Sequence, residues 1–204
     1  AAMVAFPLSL GGAALMPELV RVVFGAQYME AVTIARLLML AGLWAFATVG
    51  SAVVYGLGEA GLVMRWSFLG ALLMVLGCLW LVPTHGASGA AATRVVVHGA
   101  MILIGAWLLR TRYGMPFPGR QLLRLALAAC LCATAAWLVA QVVLLPWAAL
   151  TLGTLTGAVA YLAALRALGC ILPDEGRTLA TLIARFPTPI RRSSTAVLSW
   201  VVQA

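Results

Sequence analysis

The chain has 204 residues, of which 64% are hydrophobic and 9% charged, and thirteen arginines with no lysine outweigh five acidic residues to give a net charge of +8. A typical globular domain is about half apolar and about a quarter charged, so a mean hydropathy of +1.08 excludes a water-soluble domain. At about 20 residues per membrane-spanning helix, the chain has room for roughly six spans. We therefore expect an all-α, polytopic bundle of transmembrane helices.

Apolar stretches predict where these spans lie. The first stretch begins at residue 1 with no basic segment before it, unlike a signal peptide, and we interpret it as the tail of a helix whose start is missing. Trp44 and Trp137 fall inside predicted spans, where we expect them to be packing residues. The six predicted spans are residues 1–16, 31–57, 66–82, 89–109, 125–145 and 147–165.

The connecting segments carry turn and interface signals. Residues 17–31 (PELVRVVFGAQYMEA) place apolar residues at helical spacing among Glu18 and Arg21, which predicts a short helix in the outer interface. The sequence GLGEAG at 56–61 lies between two apolar runs and follows no strand, so it predicts a hairpin turn and not a phosphate-binding loop. In LVPTHGASGAAA (81–92), Pro83 and Gly86 are expected to break the helix, and the small residues after them allow close helix packing.

The arginines are distributed unequally between the two sides that this topology creates. If the first span ends outside, three arginines lie on or near the outer side, namely Arg21, Arg36 and Arg94. The other ten lie inside: Arg65, Arg110, Arg112, Arg120, Arg124, Arg166, Arg177, Arg185, Arg191 and Arg192. Basic residues collect on the cytoplasmic side of membrane proteins, so the pattern predicts a cytoplasmic C-terminus. It also accounts for the high net charge without a nucleic-acid partner.

The order of three motifs resembles a known family. The chain contains PELVRVVFGAQY, then a span that ends in a glycine-rich turn with a basic residue, and then a span that ends in LVPTHGASGAAA. This order resembles the C-terminal half of polysaccharide-type flippases. These belong to the multidrug/oligosaccharidyl-lipid/polysaccharide exporter superfamily. The motifs cover about residues 7–110, and residues 125–165 correspond to the further hairpin of longer members. Glu59 and the pair Thr84-His85 depart from the family pattern.

The resemblance implies two six-helix lobes around a central cavity, which export lipid-linked oligosaccharide or polysaccharide precursors across a bacterial cytoplasmic membrane by alternating access. This chain would be an incomplete, C-terminal part of such a protein. The implied partners are the lipid-linked oligosaccharide, membrane lipids, and glycan polymerase or ligase proteins. The implied organisation is C-lobe helices over 1–110, a basic cytoplasmic loop over 111–124, an additional hairpin over 125–165 and a cytoplasmic tail over 166–204.

Three basic residues inside or near spans are candidates for the substrate path. A charged side chain in the hydrocarbon region costs at least ~2.5 kcal/mol and therefore suggests a function. Arg94 and His98 are four residues apart and share one helix face, where a guanidinium could bind a pyrophosphate or an acidic sugar. Alternatively, Arg94 reaches the outer head groups and His98 bonds a neighbouring helix. Arg36 either reaches the outer surface, pairs with Glu30 or Glu18, or contacts substrate.

Two further groups have structural interpretations with functional alternatives. The first group is the inner-surface arginines, whose main expected role is to fix the orientation of the spans. Their secondary role would be to attract anionic head groups or the lipid-pyrophosphate substrate at the inner surface. They are Arg110, Arg112, Arg120 and Arg124. Gly153 and Gly157 form a GxxxG pattern that predicts a packing face. That face is expected to contact the fifth span, with a partner protein as the alternative.

The sequence offers little for catalysis or metal binding. Four cysteines and two histidines have no zinc-type spacing, and we expect neither a metal nor a cofactor. An integral-membrane glycan-assembly enzyme would need acid–base groups, and the only adjacent acidic pair, Asp174-Glu175, is expected to cap a helix in the tail. A multidrug or cation antiporter of the same superfamily remains an alternative, but the predicted spans contain no Asp or Glu. We expect no enzymatic activity.

Overall fold

The computed structural model describes residues 2–114 and 119–169, with the side chains of 45–50 and 53 left out. Within these ranges the chain is helical apart from short turns, and no strand occurs. The elements in chain order are α1 (Ala2–Ala14), α2 (Met16–Val23), a 3-10 helix (Ala26–Ala31), α3 (Val32–Ala41), a second 3-10 helix (Gly42–Ala47), α4 (Thr48–Gly56), α5 (Ala60–Tyr113), α6 (Gly119–Val142) and α7 (Pro146–Ala167). This confirms the predicted all-α class.

Helix α5 is a hairpin of two arms. A straight helix of its 54 residues would be about 81 Å long, far beyond the ~30 Å of a bilayer core. Gly86 has the non-helical dihedrals φ 58° and ψ −138°, and the arms 60–85 and 87–113 fold back on each other there. A Cβ built on Gly70 would lie 3.4 Å from Met101 Cε, and one on Gly77 would lie 2.5 Å from Thr93 Cγ2. The expected break therefore occurs at Gly86, whereas Pro83 lies within the helical first arm.

The predicted count of six spans is not confirmed. Among the described residues, three helices are long and apolar enough to cross a membrane, namely α5, α6 and α7. The count becomes four if α1 and α2, which bend by 69° at their junction, form one span. The difference has three causes. Two predicted spans are united in α5, and the predicted span 31–57 is divided by the 3-10 helix Gly42–Ala47. In place of the predicted span 1–16, α1 has only 13 residues.

The main core is formed by α1, α6 and α7. Its buried residues are Phe6, Leu125, Ala128, Ala129, Cys132, Tyr161, Ala164 and Leu165. Alanines dominate the α6 surface that meets α7, because small side chains let two helix backbones approach closely. On the other side, α1 contacts α3, where a Cβ on Gly12 would lie 3.4 Å from Met39 Sδ. The elements therefore follow the order α7, α6, α1, α3 and α5 across the bundle.

One hydrogen bond joins the first and last described helices. Tyr161 Oη donates to the Met3 carbonyl oxygen at 2.7 Å. We expect Tyr161→Phe to lower the free energy of unfolding by about 1 kcal/mol, the usual net contribution of such a bond. Denaturant titration in detergent measures this change. Tyr28→Phe is the matched control, since Tyr28 is 51% exposed and should be neutral; equal losses in both variants would contradict the prediction.

The two ends of the bundle differ in charge. Arg65, Arg110, Arg112, Arg120, Arg124 and Arg166 lie at the end where α5 begins and ends, α6 begins and α7 ends, which we call the basic end. The opposite end, which we call the cleft end, contains the α1–α2 junction, Gly86 and the end of α6. The tail arginines of residues 177–192, and the predicted tail over 166–204 beyond Gly169, lie outside the described residues.

Candidate functional site

Arg94 and His98 lie together on the second arm of α5, and both side chains are exposed. The His98 Nδ1 atom is 2.9 Å from the Arg94 carbonyl oxygen. Because a carbonyl oxygen can only accept, this contact places the ring hydrogen of a neutral His98 on Nδ1. The Nε2 atom is then left as an acceptor. The structure thus brings an arginine and a histidine onto one face, as the four-residue spacing predicts.

The depth of this pair along the arm is set by the helix geometry. Arg94 is eight residues from Gly86, which corresponds to about 12 Å at 1.5 Å per residue. His98 is one turn further, near the middle of the arm. Their neighbours are apolar, and Val96 is 67% exposed. No carboxylate lies within 4.0 Å of Arg94 within 2–114 and 119–169, so the charge at this depth is uncompensated there.

Arg36 occupies a different place, in a cavity at the cleft end. Its Nε donates to the Ala13 carbonyl oxygen at 3.1 Å. The cavity has a volume of about 240 Å³, and neither Arg94 nor His98 lines it. The expected pairing with Glu30 or Glu18 does not occur in the described part of the chain. The Glu18 carboxylate is 3.3 Å from Arg21 Nη1 instead.

The cavity contains side chains that sequence reasoning did not assign to a site. Trp137 and Gln141, near the end of α6, line it together with Arg36. Trp137 is 47% exposed, and its expected role as a packing residue stays a prediction. The spacing of four residues between Trp137 and Gln141 places both on one face of α6. This spacing was the only signal in the sequence that the two side chains could line one site. By contrast, the ring of Trp44 packs against Gly99.

The four arginines of the inner-surface group are exposed at the basic end. Arg112 Nη2 lies 3.3 Å from Glu59 Oε1, a contact that the sequence analysis missed. Arg112 and Glu59 are almost equally distant in sequence from Gly86, so a hairpin that turns at Gly86 predicts that they lie opposite each other. Arg110, Arg120 and Arg124 have no carboxylate within 4.0 Å in the described ranges. This leaves a positively charged surface around the ends of α5 and α6.

Gly153 and Gly157 are buried in α7. A Cβ on Gly157 would lie 3.3 Å from both Ala136 Cβ and Cys132 Sγ of α6, and one on Gly153 would lie 2.8 Å from Leu15 Cδ2. The GxxxG face therefore contacts helices of the same chain.

No cluster of three or more metal-ligating side chains occurs among the described residues. Cys78, Cys130 and Cys132 are free thiols. Cys170 and the pair Asp174-Glu175 lie outside the described residues. Comparison with protein-family models, curated proteins and solved structures finds no significant match for this chain.

Proposed function

We propose that this chain is the C-terminal part of a membrane exporter that flips a lipid-linked oligosaccharide or polysaccharide precursor by alternating access. The resemblance of residues 7–110 to polysaccharide-type flippases supports it. Apolar helices long enough to cross a membrane are also required by such a function. The location proposed with it is a bacterial cytoplasmic membrane, with the C-terminus in the cytoplasm and glycan polymerase or ligase proteins as partners.

The helix geometry supports six crossings within this proposal. The arms of α5 contain 26 and 27 residues, and each exceeds the ~20 residues that span a bilayer core. The run from Val32 to Gly56 has 25 residues and reaches from the cleft end to the basic end. Together with α6 and α7, these segments would make five crossings, and α1, with 13 residues, would form part of a sixth. In this arrangement the basic end faces the cytoplasm, as the bias of arginine toward the inside requires.

The observation that carries the proposal is the exposed pair Arg94 and His98 on an apolar arm. Against lipid, such an arginine costs at least ~2.5 kcal/mol. Against a water-filled cavity the cost disappears, and the guanidinium can bind a phosphate through two parallel hydrogen bonds. A second lobe on this side of α5 would close such a cavity. The pair would then hold the pyrophosphate that links the glycan to its lipid.

We expect Arg94→Ala in the full-length protein to lower the rate of polysaccharide export at least about tenfold. The reason is that a hydrogen-bonded contact to a charged group contributes about 1.5–3 kcal/mol, and 1.4 kcal/mol corresponds to a factor of ten. Export is measured as labelled polymer that reaches the cell surface per amount of membrane-inserted protein. Arg94→Lys should retain part of the activity, since it keeps the charge but loses the planar fork.

Leu103→Ala is the matched control for this experiment. Leu103 is on the same arm, nine residues from Arg94 and therefore on the opposite helix face, and it is 70% exposed. This variant removes a large exposed side chain without changing charge and should export normally. If Arg94→Ala exports at the wild-type rate with normal protein levels, or if Leu103→Ala loses as much, Arg94 is not in the substrate path.

A further inference from the structure

The cavity at the cleft end is lined by neither Arg94 nor His98. It lies between α2, the first turns of α3 and the C-terminal end of α6. Its volume is about 240 Å³. Pockets that enclose drug-sized ligands have about 300–1,000 Å³, so this cavity would enclose only a smaller group. It has room for one head group.

Helix α2 has the character of a helix that lies at a membrane surface. The 69° bend after α1 turns α2 away from the direction of α1. Met16 and Val20 are buried on one side of α2, and Val32 joins them in a small apolar cluster. Glu18 and Arg21 line the cavity on another side of the same helix. A short helix with one buried and one charged side is typical of the interface between lipid and water.

The hydrogen bonds in the cavity leave one cation available. Arg21 Nη1 and Glu18 Oε2 are 3.3 Å apart, so these two charges compensate each other. Arg36 Nε is held by the Ala13 carbonyl oxygen, one of the acceptors that the end of α1 leaves unpaired. Among the residues that the structure describes, no carboxylate lies within 4.0 Å of Arg36, and no contact engages its two Nη groups.

The other polar groups in the cavity can donate as well. The Gln141 side-chain amide has no hydrogen bond to a described residue, and Trp137 supplies an indole N–H. The residues that line the cavity thus carry two guanidinium groups and two further donors, against one carboxylate that is already paired. This composition favours an anion with several acceptor oxygens. A phosphate fits, because guanidinium nitrogens match its oxygens in pairs.

We propose that this cavity binds the phosphate group of a phosphate ester at the membrane surface, with Arg36 as the principal contact. Two sources share this chemistry: the head group of an anionic phospholipid and a soluble phosphate ester. The site does not depend on the proposed transport function, because neither Arg94 nor His98 contributes to the cavity.

The test measures binding to the purified full-length protein by native mass spectrometry and by titration in detergent. The probes are short-chain phosphatidylglycerol, short-chain diacylglycerol and glycerol phosphate. We expect phosphatidylglycerol to bind and diacylglycerol, which has no phosphate, not to bind. Binding of glycerol phosphate with similar affinity would identify a soluble ester as the ligand, whereas its failure would identify the lipid. If diacylglycerol binds as tightly as phosphatidylglycerol, the proposal is wrong.

Variants then locate the site. Arg36→Gln is expected to weaken phosphatidylglycerol binding about tenfold or more, because it removes one charge-assisted hydrogen bond to the phosphate. Arg65→Gln is the control, because it removes the same charge from an exposed residue at the basic end. Ala140→Phe fills the cavity without changing charge and should also weaken binding, which covers the case that Arg36→Gln does not fold.

Two results would overturn the proposal. One is wild-type affinity in a folded Arg36→Gln or Ala140→Phe variant, and the other is an equal loss of affinity in Arg65→Gln. Export by the same variants separates this result from the transport hypothesis.

Discussion

Gly89→Ala is expected to lower the free energy of unfolding by about 1–3 kcal/mol, the usual cost of overpacking. Gly89 is buried in the second arm of α5. A Cβ there would collide with the backbone carbonyl oxygen of Leu81 in the first arm and lie 3.2 Å from His85 Cβ. Because a backbone oxygen cannot rotate away as a flexible side chain can, the arms must separate near the turn at Gly86.

The control for this variant is Gly61→Ala. Gly61 is also in α5, but no atom lies within 4 Å of a Cβ built on it. Alanine is favoured over glycine in a helix by about 1 kcal/mol, so this variant should be neutral or more stable. Denaturant titration in detergent compares the two. Equal stability of both variants would mean that the arms do not approach each other at Gly89.

Gly157→Leu is expected to push α7 away from α6, with a loss of about 3 kcal/mol in the free energy of unfolding. Ala136 Cβ and Cys132 Sγ already lie 3.3 Å from the position of a Cβ at Gly157. The three further carbons of leucine have no space, so the cost falls at the upper end of the range for overpacking. Unfolding in detergent and the elution volume on size exclusion are measured together.

Ala158→Leu is the matched control, because it adds the same side chain at an exposed neighbouring residue of α7. It should leave the stability nearly unchanged. The pair of measurements also separates the two roles considered for the GxxxG face. If Gly157→Leu dissociates an oligomer and leaves the stability of the monomer intact, the face binds a partner and the expected effect is wrong.

Local sequence signals were sufficient for the helical class and for the reversal at Gly86. The apolar runs determine helices, since a backbone in lipid must satisfy its own hydrogen bonds. A glycine between two such runs allows the dihedrals of the turn, with φ 58° at Gly86, which residues with a Cβ rarely adopt. The break at Gly42–Ala47 was not predicted. A Cβ on Gly42 would lie 2.8 Å from Ser9 Oγ, so α1 packs closely against the chain at this break. Such a contact between segments distant in sequence is not visible in a local pattern.

The candidate sites differed in how far the sequence could predict them. Arg94 and His98 share a face because of their spacing alone, so helix periodicity was enough. The cavity around Arg36 combines residues from α2, α3 and α6, and no local pattern indicates that Arg36 and Gln141 meet. Likewise, Glu59 and Arg112 are joined only once the two arms of α5 are aligned. Contacts between distant segments therefore account for what sequence reasoning missed.

The packing of α1 against α6 has a consequence for how the protein assembles during synthesis. Phe6 of α1 belongs to the same buried cluster as Leu125, which the ribosome adds 119 residues later. At a synthesis rate of about 5–20 residues per second, roughly 6–24 s pass between the synthesis of Phe6 and that of Leu125. The arms of α5 need no such delay, because their contacts form as soon as the second arm is made. Contacts between neighbours in the chain, such as those of α1 with α3 and of the two arms of α5, can therefore form before the cluster around Phe6 is complete.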